Sequence, residues 1–376
     1  MYDGIIIICK EPGYTSFDVV AKLRGILRQK KIGHTGTLDP SAEGVLPVCL
    51  GTAAKMCEFL AGETKTYEAV LLLGRTTDTQ DTDGKILSEK PVSCSAEEIR
   101  RAALSFQGEQ LQVPPMYSAL KKNGKKLYEL ARAGIEVERE PRKVVFYEIE
   151  VLSIDIPRVR LRVTCSRGTY IRTLCSDLGD RLGCGGCMEH LIRTRVGEFR
   201  LEDARKLADI QKLSEEGKTA SVILPTDYMF RNLPSAVCSP EADRLVHNGN
   251  AVPANLLQIR SPEESCCSSP EEEHFSDGGG LSRADGCFSH RSPDSGHFID
   301  MDREDIRVYD SEGQFIGIYR ESGDRVSEEK KDVESVEVCQ KSGDRPDRIP
   351  EEKRDGESGG QDKIYRVRRM FYRPQG

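Results

Sequence analysis

The sequence lacks any apolar run long enough to cross a membrane. The longest early run, residues 5–9, is far shorter than the ~20 residues that a membrane-spanning helix needs. The first residues carry Asp3 instead of the basic cluster that opens a secretory signal. We therefore expect a cytoplasmic protein without membrane contact, in which the 13 cysteines are reduced thiols.

Signatures of common enzyme chemistry are also missing. There is no P-loop, no dinucleotide-binding glycine fingerprint, no Ser–His pattern and no histidine pair at metal-ligand spacing. The C-x-x-C of Cys184 and Cys187 has no second pair, and the aspartate-rich stretch 75–84 lacks the closing glutamate of an EF-hand loop. We expect no metal, no nucleotide and no other cofactor.

Hydrophobic residues are scarce for a wholly folded chain, at 37%, and 31% of the residues are charged. The shortage is concentrated in residues 261–305 and 321–362, which are rich in Ser, Glu, Asp and Gly and show no periodicity. Such segments cannot bury enough apolar surface to offset the entropy of folding. We interpret both as disordered inserts.

The chain has a net charge of −7, but the residues outside the two inserts are basic overall. The two inserts together carry 26 acidic and 11 basic side chains, which leaves 44 basic and 36 acidic ones in the other 289 residues. A folded part with a charge of +8 is compatible with a nucleic-acid partner, although many cytosolic enzymes are equally basic.

Residues 33–55 combine glycine, proline, histidine and aspartate within one short stretch. Gly33 and Gly36 let the backbone turn sharply around His34. Pro40 biases Asp39 towards an extended conformation, and the apolar residues from 45 to 50 are typical of a buried strand. In a generic loop such an aspartate usually caps a turn. A carboxylate on a stiff, anchored loop can also present one reactive oxygen at a fixed point.

Hydrophobic periodicity predicts strands and helices in irregular alternation. This mixture lacks a βαβ rhythm and indicates an α+β fold around a mixed sheet. We predict strands at 5–9, 45–50, 67–74 and 158–165, a hairpin at 308–319 and a closing strand at 364–372. Helices are predicted at 17–30 after an N-cap at Ser16, from Ser95 to a stop at Gly108, at 121–134, and from about 172 to 182.

Besides Asp39, the residues that stand out are His34, Tyr67, Tyr170, Arg172 and Leu191. Taken alone, each is as well explained by core packing or by surface exposure. However, the order and spacing of these residues along the chain closely resemble those in the TruB family of tRNA pseudouridine-55 synthases. The resemblance covers residues 1–235, and the matching blocks are 9–16, 33–40, 65–67, 74–81, 114–121, 168–172 and 182–184, with Leu191.

The resemblance implies an enzyme that isomerises uridine to pseudouridine at position 55 in the T-loop of tRNA. Asp39 matches the family's nucleophile, Arg172 the arginine paired with it, and Tyr67 the tyrosine that stacks on the base and is implicated in removing the C5 proton. His34 matches the histidine that enters the T-loop when the base is flipped out.

The remaining correspondences concern RNA contacts. Tyr170 and Leu191 match residues that line the uracil pocket. Lys10 and Lys121 are expected where phosphates pass, although either could be a solvated surface lysine. The implied partner is the T-loop and acceptor arm of tRNA, and we expect the protein to be a monomer.

The resemblance also implies a domain order. Residues 1–235 are predicted to form a pseudouridine synthase catalytic domain with a mixed sheet. Residues 236–376 are predicted to form a small PUA-like, RNA-binding β-barrel that the acidic inserts interrupt.

Three other functions stay open at this stage. One is an RNA chaperone that folds tRNA without chemistry, and the second is the guide-RNA-dependent pseudouridine synthase of archaea and eukaryotes, which shares the fold. The block 114–121 and the stand-alone layout favour the tRNA enzyme over the second. The third, a metal-dependent nuclease built on the aspartates of residues 78–83, has the least support.

Overall fold

The computed structural model describes residues 1–262, 305–322 and 363–372. Their backbone divides into two compact units, Met1–Met229 and the described residues from Phe230 onward. Within the described ranges, no helix combines the length and the apolar character that crossing a membrane requires. Except for a few flanking residues, the predicted inserts lie outside the described residues.

In both units, strands and helices alternate irregularly along the chain. The strands are Gly4–Lys10 (β1), Ile32–His34 (β2), Glu43–Leu50 (β3), Lys65–Leu73 (β4), Arg75–Thr77 (β5), Ile86–Glu89 (β6), Gly108–Gln112 (β7), Lys121–Lys122 (β8), Lys125–Lys126 (β9), Arg142–Asp155 (β10), Arg158–Cys165 (β11), Gly186–Val196 (β12), Phe199–Arg200 (β13), Ser235–Cys238 (β14), Val252–Pro253 (β15), Leu257–Arg260 (β16), Asp305–Tyr309 (β17), Phe315–Ser322 (β18) and Ile364–Met370 (β19). The helices are Ser16–Ile26 (α1), Cys57–Gly62 (α2), Ala96–Leu104 (α3), Leu127–Arg132 (α4), Ile171–Arg181 (α5), Leu207–Glu215 (α6) and Asp243–His247 (α7).

The first unit is built on one sheet with the strand order β1-β3-β12-β4-β11-β10-β7. All neighbours in this order are antiparallel except β12 and β3, so the sheet is mixed, as predicted. The central strand β4 places Tyr67 opposite Val163 of β11 on one side and opposite Arg193 of β12 on the other.

The described residues of this unit include two apolar clusters that bear on the site. One lies between α1, α6 and strands β1 and β3, and the other joins α3 and α5 to strands β4, β10, β11 and β12. Leu38, in the loop before β3, belongs to the second cluster together with Tyr67 and Leu191. The loop that bears Asp39 is therefore anchored in the core.

The predicted helix at 121–134 is wrong over its first half. Asn123 and Gly124 adopt positive φ angles of 51° and 81° and form the turn between β8 and β9. An Asn-Gly pair is the preferred sequence for a two-residue hairpin turn, because both positions need a left-handed backbone. This local preference overrides the helical periodicity, and α4 begins only at Leu127.

Other predicted helix ends shift as well, and α1 ends at Ile26 instead of residue 30. The N-cap of α1 is Thr15, whose hydroxyl accepts from the backbone N–H of Asp18, and Ser16 is the first helical residue. Helix α3 ends at Leu104, and Gly108 begins β7 instead of capping the helix. The capping box at Ser95 is confirmed.

The second unit contains a six-stranded sheet with the order β15-β19-β18-β17-β14-β16. The predicted hairpin is present as β17 and β18, and the predicted closing strand is β19, which pairs with β18. The apolar core of this unit gathers on strands β14, β17 and β18 and helix α7.

Candidate active site

Asp39 lies in the loop 35–42, whose backbone is fixed on both sides of this residue. Before it, the N–H of Leu38 donates to the Ser16 hydroxyl at 2.9 Å. After it, the Lys10 ammonium donates to the carbonyls of Pro40 at 3.1 Å and Ala42 at 2.5 Å. The Asp39 side chain is 34% exposed, so the loop presents one carboxylate to solvent from a fixed backbone.

Arg172 on α5 binds the Asp39 carboxylate from the protein interior. Its Nε lies 2.9 Å from Asp39 Oδ2, and its Nη2 donates to Oδ1 at 3.2 Å, which is the two-pronged geometry of a strong charge-assisted pair. The remaining N–H groups donate to the carbonyls of Tyr117 at 2.8 Å and Thr79 at 3.0 Å. With a side chain only 5% exposed, Arg172 holds Asp39 in one orientation.

A second carboxylate, Asp81, shares this arginine and was not predicted as a site residue. Its Oδ2 lies 3.6 Å from Arg172 Nη1, and its side chain is 11% exposed. Burial raises the pKa of Asp81, whereas hydrogen bonding by the Thr79 hydroxyl and the charge of Arg172 lower it. Asp81 lies in the aspartate-rich stretch 75–84 and closes the matching block 74–81, which was the available signal in the sequence of a role at the site.

Tyr67 and Leu191 form an apolar wall of the same region. Tyr67 on β4 is 8% exposed and Leu191 on β12 is 6% exposed, and both pack in the cluster that contains Leu38. Burial raises the pKa of the Tyr67 phenol, and the charge of Asp39 raises it further. Tyr67 is thus neutral at pH 7 in the free protein.

Tyr170 is half-buried at the start of α5, two residues before Arg172. Its backbone N–H donates to Gln112 Oε1 at 2.8 Å, and its carbonyl accepts from Gln112 Nε2 at 3.0 Å. Burial raises the pKa of its phenol. Because Gln112 fixes this helix end, the positions of Tyr170 and Arg172 are set together.

His34 ends β2, directly opposite Val48 of β3, and is half-buried. Burial and the nearby charge of Arg193 lower its pKa, so the imidazole is neutral at pH 7. A neutral, flat ring at the head of the Asp39 loop is suited to stacking against a base.

The two predicted phosphate contacts differ in the structure. Lys121 is exposed on β8 and remains available to a ligand. Lys10 is fully buried, and its third hydrogen bond goes to the Glu11 carbonyl at 3.1 Å. Burial lowers its pKa to about 8. The prediction that Lys10 contacts phosphate therefore does not fit: this ammonium supports the Asp39 loop from beneath.

Lys10→Met tests this support. The substitution removes the ammonium donor from three carbonyls, of which that of Pro40 keeps the N–H of Gly13 at 2.9 Å, and we expect the free energy of unfolding to fall by about 2–4 kcal/mol. Urea denaturation of Lys10→Met and of Lys22→Met, an exposed lysine on α1, provides the comparison. Equal stability of the two variants would show that the contacts contribute nothing.

Comparison with known proteins relates this geometry to a family. Residues 24–171 match the TruB family pseudouridylate synthase N-terminal domain, and residues 172–231 match the tRNA pseudouridylate synthase B C-terminal domain. The tRNA pseudouridine synthase B of Alkaliphilus oremlandii is 49% identical over 255 residues, or 68% of this chain and 84% of that protein. The enzyme of the same name from Lachnoclostridium phytofermentans is 44% identical, over 84% of this chain and 94% of its own length.

Solved structures show the same fold. A crystal structure of a Cbf5-Nop10-Gar1 complex aligns with a TM-score of 0.56 and 26% sequence identity, covering 85% of this chain and 78% of that one. The structural likeness thus extends well beyond the residues of the site.

Proposed function

Because this chain belongs to the TruB family of pseudouridylate synthases, we propose that it converts uridine to pseudouridine in the T-loop of tRNA, at position 55. The observation that carries the proposal is the Asp39 carboxylate, fixed by Arg172 and open to solvent on a preformed loop. The relatives at 44% to 49% identity are named for tRNA, which favours a tRNA substrate over the guide-RNA-dependent reaction.

The reaction needs one nucleophile and one proton acceptor. The N-glycosidic bond of uridine is broken, a C–C bond to C5 of the same base is formed, and the C5 proton is lost while N1 gains one. Asp39 is the nucleophile, attacking C6 of the base or C1′ of the ribose. A carboxylate is itself a nucleophile and needs no separate base to activate it.

The neighbouring residues serve orientation and proton transfer. Arg172 keeps the Asp39 oxygens aimed at the substrate, and Tyr67 stacks on the base and accepts the C5 proton. Tyr170 and Leu191 complete the pocket for the extruded uracil. His34 fills the space that the base leaves in the T-loop, which offsets part of the few kcal/mol that unstacking costs.

We assign the contacts with the RNA backbone to lysines at the protein surface. The hairpin of β8 and β9 carries the exposed Lys121 and Lys125 and the half-buried Lys122 and Lys126 around one tight turn. Phosphate contacts of this kind fix the position of an RNA without reading its sequence. The sheet of the second unit is proposed to be a PUA-like module that extends the contact with tRNA.

The proposed function is tested by mapping pseudouridine on an unmodified tRNA transcript. Carbodiimide labelling followed by primer extension should give a stop in the T-loop after treatment with the wild type and no stop with Asp39→Asn. Binding of the same transcript is measured in parallel. Tight binding by both proteins without a stop would support the chaperone function instead, and loss of activity in EDTA would revive a metal-dependent reaction.

The acidic segment 323–362 gives a further prediction. It carries 13 acidic and 8 basic side chains, and its flanking residues Ser322 and Ile364 are paired neighbours of β18 and β19. A short turn can therefore replace it without changing the strand register. We expect the deletion to tighten tRNA binding at low salt, because local negative charge repels phosphate.

A variant of unchanged length with a neutral Gly/Ser segment separates charge from length. It should bind as tightly as the deletion variant. Affinities that equal the wild type at every salt concentration would refute an electrostatic role of this segment.

A further inference from the structure

Arg193 is a fully buried arginine for which the reaction outlined above has no role. It lies on β12 and is 1% exposed, one of the largest side chains that are removed from solvent. Among the residues that the structure describes, no carboxylate lies within ion-pair distance of it. Burying a cation without a counter-ion costs several kcal/mol, so its retention calls for an explanation.

One face of the Arg193 guanidinium holds the Asp39 loop. Its Nε donates to the carbonyl of Val45 at 2.7 Å, and its Nη2 donates to the carbonyl of Gly36 at 3.3 Å. These carbonyls lie on either side of Asp39 along the chain. Gly44, with φ of 107°, allows the close approach, because a Cβ there would lie 2.2 Å from the Arg193 carbonyl oxygen.

Tyr67 is the neighbour of Arg193 across the sheet. The register of β12 and β4 sets the two residues directly opposite each other, so their buried side chains lie on the same face of the sheet. Asp39 from the loop and Cys165 from β11 also act on Tyr67, and both raise the pKa of the phenol. Of these three groups, Arg193 alone lowers it.

We propose that Arg193 is a positioning residue that ties the Tyr67 phenol to the Asp39 loop and stabilises the Tyr67 phenolate for proton abstraction. This inference rests on the role proposed above for Tyr67. The phenol first releases its proton to solvent. After the C–C bond has formed, the phenolate takes the C5 proton of the base, and the electron pair of the C5–H bond restores the C5=C6 double bond. If Asp39 is bonded to C6, its carboxylate leaves C6 in this step; if Asp39 attacked C1′, the C6=N1 electron pair moves to N1, which takes a proton from solvent.

A purely structural tether would have different consequences. A tether that only holds the loop would affect stability and the rate but would leave the ionisation of Tyr67 unchanged. A charge acting on Tyr67 also moves the pH at which the phenol ionises, and this shift can be measured without substrate.

The first experiment titrates Tyr67 by NMR in protein that carries tyrosine labelled with ¹³C at Cζ, with Tyr67→Phe to assign the signal. Arg193→Met should raise the pKa of Tyr67 by at least ~1 unit, a tenfold change in ionisation. Arg193→Lys should stay near the wild type because it keeps the charge. Arg195→Met is the matched control, since Arg195 on the same strand donates to the Thr66 hydroxyl, and it should leave this pKa unchanged.

The second experiment measures single-turnover rates between pH 6 and 9. Burial raises the pKa of Tyr67, so the phenolate is a minor species in both proteins over this range. The rate of Arg193→Met should lie at least ~10-fold below that of the wild type and rise in parallel with it, about tenfold per pH unit. Arg193→Lys should regain most of the rate. Thermal unfolding of each variant shows whether it is folded, and Arg193→Lys and Arg193→Gln keep the test valid if Arg193→Met does not fold.

The outcomes separate the inference from the function. An unchanged pKa of Tyr67 in folded Arg193→Met or Arg193→Gln, or a rate of folded Arg193→Met equal to that of the wild type, would overturn the proposed role of Arg193. Absence of T-loop pseudouridine with the wild type would instead refute the proposed function, whatever the titration of Tyr67 shows.

Discussion

Replacing Asp39 by asparagine is expected to abolish isomerisation while fold and tRNA binding persist. The amide has the shape of the carboxylate but neither its charge nor its nucleophilicity, and loss of a nucleophile costs ~10⁴-fold or more. Arg172 keeps its bonds to the carbonyls of Tyr117 and Thr79, so the pocket should stay in place. Single-turnover kinetics on a tRNA transcript, with binding measured by filter retention, provide the test.

Two further variants sharpen this result. Asp39→Glu keeps the charge but moves the oxygens by one methylene, and we expect a rate loss of ~10²-fold or more, because the reacting atoms must lie close to their attack geometry. Asp83→Asn changes an exposed carboxylate of the neighbouring turn and should leave the rate near that of the wild type. Substantial activity in Asp39→Asn would assign the nucleophile elsewhere.

Arg172→Met is expected to give the largest loss of stability together with loss of activity. It leaves Asp39 and the more buried Asp81 side by side without their shared cation. Removing one member of a buried ion pair costs about 3–5 kcal/mol, because the remaining charge stays unpaired. Urea denaturation should show this decrease in the free energy of unfolding.

A second variant separates the effect of the guanidinium geometry from the effect of its positive charge. Arg172→Lys restores the charge, but a single ammonium cannot span Asp39, Asp81 and two carbonyls at once, so the rate should stay ~10²-fold low while part of the stability returns. The double variant Arg172→Met with Asp81→Asn should be more stable than Arg172→Met alone. If Arg172→Met unfolds like the wild type, the network has no structural role.

Strands with strict alternation could be predicted from the sequence. In β11, Arg158, Arg160 and Arg162 face outward and the apolar residues between them face the core, as the pattern indicates. The prediction of a helix at 121–134 was wrong over its first half, because the turn preference of Asn123 and Gly124 outweighs the helical periodicity there. One local dipeptide decided the structure there.

The buried cations were the residues that sequence reasoning misjudged. Lys10 was predicted to contact phosphate and Arg193 was given no role, since lysine and arginine are rarely buried. In the structure both donate to backbone carbonyls around the Asp39 loop. Only tertiary structure brings those carbonyls together, so no spacing in the sequence could have revealed the contacts.

The anchoring of the loop that carries Asp39 has a consequence for how the protein can change over evolutionary time. Its backbone is ordered by Ser16, Lys10 and Arg193, which lie within the fold. A substrate therefore loses little affinity to ordering this loop when it binds. Surface residues that contact RNA can then diverge and alter which RNA is bound while the chemical step stays the same.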